Sequence, residues 1–344
     1  MTLTPDPAAA APLTEPARTQ SADENPDVAS VLVGGMGSRG QKRGGQSAGG
    51  GTSAAMWGVL GVVAIIVLWE LYKFLGPAEG VTIGAVEGES GSGVMILPRT
   101  HDRAMPHVWD MVARLFQPTS GGDTPPLFVS VISAALITLG IAAVGWFIGV
   151  TVGAILGLLM QRWKLVEWGL LPWIVVSQIV PLIAFAPVVN ALGNQIDRGG
   201  TPWPQWLSVA VIASYLAFFP VAIGVLKGLA APDQIHLDLM RTYAAGYWPT
   251  LLRLRLPASV PYLLPALRLA AANAVLGAVV AEVSIGMRGG IGRMLIQLAG
   301  QASSDPAAPW GPTFGSIALG LIAAASVALL GLGLRNYRRG EAVA

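Results

Sequence analysis

Apolar positions along the chain gather into runs of about 20 residues or more, set apart by polar stretches. Met56–Leu75, Leu127–Met160, Trp168–Leu192, Trp206–Leu226, Leu263–Ile285 and Phe314–Leu334 each carry few charges or none. As helix, about 20 residues cross the roughly 30 Å of a bilayer's hydrocarbon. The pattern therefore predicts about six transmembrane helices. The second run has no charge between Asp123 and Arg162, which is too long for one perpendicular crossing, so it must tilt, kink or protrude. The third contains Pro172, Pro181 and Pro187. Proline removes helix donors, so this span is expected to be bent or broken, with neighbouring helices covering its freed carbonyls.

The stretches between the runs set the organisation. Residues 1–51 are rich in Ala, Pro, Gly, Ser and Thr and cannot bury enough apolar surface to offset their ordering entropy, so they read as a disordered cytoplasmic tail. About fifty polar residues precede the first apolar run, which argues against a signal peptide. Residues 52–344 form the membrane domain. Placing the N-terminus inside puts Arg162, Lys164, Lys227, Arg241, Arg253, Arg255, Arg335, Arg338 and Arg339 on the cytoplasmic side, with fewer basic residues outside. Both termini are then cytoplasmic. The connection 227–262 is also cytoplasmic, and longer than usual for a link between spans. Within it, Asp233–Trp248 reads as a helix after Pro232, with another turn starting at Pro249 or Thr250.

Composition sharpens the class. Of 344 residues, 53% are hydrophobic and 12% charged, whereas soluble domains carry about 25% charged residues. Mean hydropathy is +0.60 despite the polar start. A soluble enzyme is excluded, and the lack of cysteine excludes a disulfide scaffold or a zinc–thiolate site. A net charge of +2 gives no reason to expect nucleic acid. No Gly-x4-Gly-Lys-Ser/Thr stretch occurs, so the chain has no phosphate-cradling loop of its own. Paired acids, His clusters and nucleophile–base pairs are missing from the spans, so no catalytic residues are expected. His101, Asp102 and His107 fit no compact ligand spacing, and no metal is expected there. The fold class is an all-α integral membrane protein.

A few polar and small residues stand out within the spans. Gly145, Gly149, Gly153 and Gly157 recur every fourth position, a helix-packing stripe that lets backbones approach closely in lipid. It serves either static packing or a surface that slides during gating. Glu282, Asn273 and Gln178 lie in or beside spans, where polar groups face a cavity or a partner. They are candidates for a translocation pathway or gate, with a purely structural carboxylate the alternative for Glu282.

The loop carries the most specific pattern: Asp238-Leu239-Met240, then Ala244, then Leu254-Arg255-Leu256-Pro257. It resembles the Glu-Ala-Ala loop of ABC-importer permeases, with Asp238 standing for the Glu and Ala244 for the Gly. Trp69-Glu70-Leu71, Leu97-Pro98, Ser177 to Pro187, and Glu282 followed by Gly289-Gly290-Ile291-Gly292 are similar to the nitrate/sulfonate/taurine-type branch of binding-protein-dependent permeases. The resemblance spans about residues 56–340. It implies a MetI-like ABC-importer permease fold in a bacterial cell membrane. It implies ATPase coupling through Asp238, Ala244, Tyr247, Leu254, Leu256 and Pro257, with Tyr243 and Trp248 as further aromatic anchors. The implied partners are an ABC ATPase that hydrolyses the ATP, a second permease subunit (identical or paralogous), an extracytoplasmic solute-binding protein and membrane lipid. No cofactor is bound by this chain. A secondary transporter or channel without an ATPase is the alternative, which clear inverted repeats and several midplane charges would favour. Leu239 to Tyr243 and Ala278 to Glu282 look similar to members assigned to pyrimidine or riboflavin-type precursors. Nitrate, sulfonate or taurine-like solutes stay open.

Overall fold

The computed structural model describes residues 50–83, 94–119, 124–196 and 199–332. Most of the expected tail, residues 1–49, and the basic C-terminal residues beyond 332 lie outside the described residues. The chain divides into two units, residues 1–62 and 63–344. The described part of the first is the N-terminal half of helix α1, Gly50–Leu75, whose side chains from Met56 to Val62 are exposed.

The second unit is helical apart from one two-stranded antiparallel ribbon, Val81–Ile83 (β1) with Val94–Leu97 (β2), which the sequence pattern did not predict. Its helices are α2, Val108–Leu115; α3, Leu127–Arg162; α4, Lys164–Ser177; α5, Leu182–Gln195; and α6, Gln205–Leu229. There follow α7, Gln234–Thr242; α8, Tyr247–Thr250; a π-helical turn, Leu251–Arg255; α9, Leu256–Ile285; α10, Ile291–Ala299; and α11, Trp310–Leu332. Among the described residues, five helical stretches are long and apolar enough to cross a membrane. The pair α4 and α5 makes a sixth if counted as one span, but it bends by 105° at residues 178–181.

That bend is what the third run's prolines predicted. The first limb ends at Ser177 and Pro181 precedes the restart at Leu182, leaving two limbs of 14 residues each. At about 1.5 Å per residue neither limb alone crosses the hydrocarbon. The 36-residue α3 is continuous, about 54 Å of rod, so it protrudes or tilts rather than kinking. The fifth span differs from expectation at its start. The α-helix runs on from the π-helical turn and starts at Leu256, inside the loop motif rather than at Leu263, with Pro257 in its first turn.

The core lies where α3, α6 and α9 meet. Val209, Ala210, Ile212, Ala213, Ala217 and Val221 of α6 are all buried. Small residues make both seams of that helix. A Cβ placed on Gly145, Gly149, Gly153 or Gly157 of α3 would come within 2.9 Å of α6 backbone oxygens. On the other side, Gly277 of α9 lies against the Ala213 Cα, and Gly224 against the Ala266 Cβ. The glycine stripe is thus a packing seam along its whole length. Lipid tails give helices no hydrophobic reason to associate, so close backbone contact supplies the attraction.

Candidate translocation and coupling elements

The loop predicted to couple divides into two short helices. The sequence suggested one helix from Asp233 to Trp248, but α7 stops at Thr242. Ala244 adopts φ 49°, alone among the described non-glycine residues in the left-handed region. The Ala245 N–H donates to the Met240 carbonyl at 3.0 Å and the Ala244 N–H to Arg241 at 2.9 Å. These are the paired bonds of a Schellman stop, in which the left-handed position normally holds glycine. Ala244 therefore occupies the backbone state that the motif's glycine suits, at a local steric cost.

Helix α7 has no buried residue. Ile235, Leu239 and Tyr243, spaced by four, are exposed at 79%, 51% and 75%. They form one apolar stripe that no described residue buries. Asp238 sits beside it, paired with Arg241 at 2.8 Å, and both are exposed. Of the expected aromatic anchors, Tyr247 and Trp248 stay in edge-on contact, ring centres 5.6 Å apart. Tyr243 and Trp248 face outward, while Tyr247 turns inward, its hydroxyl donating to Gln161 Oε1 of α3 at 3.2 Å. Leu254 is half-buried and falls in the π-helical turn; Leu256 and Pro257 open α9. Prolines 257, 261 and 265 recur every fourth residue along its first turns.

At the opposite end of α9, Glu282 is fully buried. Its carboxylate accepts the Thr138 hydroxyl of α3 at 2.8 and 3.0 Å and the Gly292 N–H at 2.8 Å. The Ile291 N–H donates to the same Thr138 oxygen at 3.0 Å. A helix N-terminus leaves several N–H groups without partners, and Gly290, before α10, has no side chain to cap them. Two neighbouring helices provide the acceptors instead. A Cβ on Gly290 would lie 2.2 Å from the Glu282 carboxyl carbon, so glycine is required for the approach. The Glu282…Gly290-Ile291-Gly292 pattern thus has a local physical reason. The Glu282 side chain is enclosed between α3, α9 and α10. It is a positioning group for α10.

Glu70 does the same job nearer the chain's start. Its carboxylate accepts the Val108 N–H at 2.8 Å, at the beginning of α2, and lies 2.8 Å from His107 Nδ1. Asp102 accepts the Lys73 ammonium at 2.7 Å, and that hydrogen bond and charge hold its carboxyl below the usual range. His101 Nδ1 instead accepts the Ala104 N–H. His101, Asp102 and His107 thus have separate partners. Asn273 donates to the Leu216 carbonyl of α6 at 3.3 Å. Gln178 lies in the α4–α5 break, beside the Ser177 carbonyl that accepts the Tyr215 hydroxyl. Among the described residues no hydrogen bond joins Glu282, Asn273 and Gln178 to one another; the three occupy separate places.

Sequence reasoning passed over Arg268. It lies within α9, its Nε buried and without a hydrogen-bond partner among the described residues. A lone arginine inside the apolar run 263–285 was the signal that could have found it.

These elements define a multi-pass helical membrane protein with an exposed loop helix at one end and carboxylate-capped short helices at the other. Residues 149–338 match the family described as binding-protein-dependent transport system inner membrane component, and the chain belongs to that family. It is 33% identical over 174 residues to the formylaminopyrimidine transport permease protein ThiX of Halalkalibacterium halodurans, covering 49% of this chain and 65% of that protein. A probable ABC transporter permease protein of Haemophilus influenzae is 32% identical, with 46% of this chain and 61% of that protein covered. The nitrate import permease protein NrtB of Synechocystis is 25% identical, with 65% and 71% covered. The chain thus spans less than two thirds of the length of the first two relatives.

Proposed function

We propose that this chain is the permease subunit of an ATP-driven importer. It forms the translocation route for a small organic solute and takes its energy from a separate ATPase seated on α7 and α8. The observation that carries this reading is the exposed stripe of Ile235, Leu239 and Tyr243 on a helix with no buried residue. Such a face is unfavourable in water and suits a groove on a partner, with aromatic residues as anchors. Family membership supports the same reading. A second permease subunit and an extracytoplasmic binding protein complete the proposed assembly, with both termini of this chain cytoplasmic. The solute is of the organic kind named for one relative, a formylaminopyrimidine, with the nitrate named for another as the inorganic alternative.

The test is capture of an ATPase by the tagged chain. Leu239→Arg should lose the captured ATPase while leaving membrane insertion intact, because it places a charge at the centre of the stripe. Undiminished capture in that variant and in Tyr243→Ala would refute the coupling assignment. Wild-type uptake in membranes depleted of ATP would favour a secondary transporter.

A further inference from the structure

Where α3 ends, the structure holds a cleft that it shares with α8. Ile155 and Leu158 of α3, Trp163 just beyond it, and Tyr247 and Trp248 of α8 line a cavity of about 480 Å³ with Arg162. The Arg162 guanidinium lies 4.9 Å from the Tyr247 ring centre and 5.8 Å from that of Trp163. Those contacts fix its position without neutralising it. Arg162 makes no hydrogen bond or ion pair among the described residues, whereas the adjacent Lys164 is paired with Glu167 at 2.9 Å. A guanidinium carries five donors and stays charged at any physiological pH. This one has its face on aromatic rings and its donors free.

The lining fits one kind of occupant. Ile155 is 52% exposed and belongs to the apolar run that crosses the hydrocarbon. Trp163 and Trp248, at 51% and 68% exposure, are of the type that settles at headgroup level. From Ile155 to Arg162 the surface passes from hydrocarbon-like to aromatic to cationic over about 10 Å of helix. We propose that this cleft binds an anionic phospholipid of the adjoining leaflet, its phosphate on Arg162 and an acyl chain against Leu158 and Ile155. The binding itself does not depend on which solute is carried. Resting on the coupling reading, a consequence follows. Tyr247 and Trp248 are the first residues after the loop's Gly246, so a lipid in the cleft ties the coupling segment to α3.

The test uses the purified assembly in nanodiscs containing equal phosphatidylglycerol and phosphatidylcholine, with retained lipids read by native mass spectrometry. Phosphatidylglycerol should be enriched on the wild type. Arg162→Gln should lower the ratio about fivefold, the contribution of one basic side chain beside an anionic leaflet. Arg162→Lys should keep part of the enrichment, and Leu158→Trp, which fills the cleft with the charge intact, should lose it. Melting temperatures near the wild type's show that each variant folds, and if Arg162→Gln does not, Leu158→Trp decides. A large excess of inorganic phosphate should leave the ratio unchanged. Equal retention of both lipids, a ratio indifferent to Arg162→Gln and Leu158→Trp, or displacement by inorganic phosphate would overturn the proposal. The chain has no cysteine, so Ile155→Cys can carry a benzophenone photocrosslinker into the cleft. Crosslinking to lipid supports the site. Recovery of a second copy or of an ATPase instead shows a protein-covered surface and overturns it.

Discussion

Adding one methyl group at Gly149 tests the seam between α3 and α6. The new Cβ would lie 2.7 Å from the Ala217 Cβ, 2.7 Å from the Ser214 carbonyl oxygen and 3.1 Å from the Phe218 nitrogen. Carbon atoms rest about 3.5–4.0 Å apart, so the helices must part locally by about 1 Å. The obstructing atoms are backbone or Cβ, which cannot rotate aside. Overpacking of this kind costs about 1–3 kcal/mol. Alanine's better helix propensity returns about 0.8–1 kcal/mol, leaving Gly149→Ala destabilised by about 0–2 kcal/mol. Gly140, on the same helix with nothing within 4 Å of an added Cβ, is the internal control. Gly140→Ala keeps the propensity gain and should be neutral or slightly stabilised. Midpoints of denaturant unfolding in one detergent, followed by tryptophan fluorescence, compare the two. The double variant Gly149→Ala/Gly153→Ala should cost less than the sum, since the shift that relieves one clash eases its neighbour. A Gly149→Ala midpoint at or above that of Gly140→Ala would show that the helices are not held this closely.

Three further outcomes follow from the site. Glu282→Gln keeps one acceptor for the Gly292 N–H but removes the charge and replaces the second oxygen that accepts from Thr138 with an NH2 donor, so the α10 start should loosen by about 1–3 kcal/mol. The Ile291 and Gly292 amides should then exchange with deuterium faster and uptake should fall at matched complex yield; unchanged exchange would remove the capping role. Ala244→Gly should preserve ATPase capture and stabilise slightly, relief of about 1–2 kcal/mol of left-handed strain exceeding glycine's entropic cost. Ala244→Val should weaken capture, and equal capture by both would detach the stop from coupling. For orientation, a cysteine at exposed Ser303 should react with a membrane-impermeant maleimide in intact cells, and one at His236 should not. Reversed labelling would invert the topology.

Much of the helical layout could be read from hydropathy, because lipid forces every crossing segment to satisfy its own backbone. The break in the third run was visible in Pro181, and the glycine stripe declared its own periodicity. The capping roles of Glu70 and Glu282 were less legible. Each carboxylate is separated in sequence from the amides it serves, so nothing in local spacing reports the contact. Arg268 was overlooked for a different reason: a single charge barely lowers the mean hydropathy of a long apolar run. The end of α7 was misjudged because alanine favours helix everywhere else. Only the bonds from Ala244 and Ala245 show that the chain has turned left-handed.

The π-helical turn at Leu251–Arg255 sits between the loop helices and the long α9. Its wider winding is followed by Pro257, Pro261 and Pro265, each lacking the donor that would bind a carbonyl four residues earlier. About fifteen residues of this rod therefore hold together with fewer internal ties than the rest. Mechanically, they are a compliant collar on a stiff shaft. Displacement applied at residues 234–250 would be spent first in flexing that collar, and α9 beyond it would swivel rather than slide along its axis. The far end, where Glu282 grips α10, would then receive the motion as a change of angle.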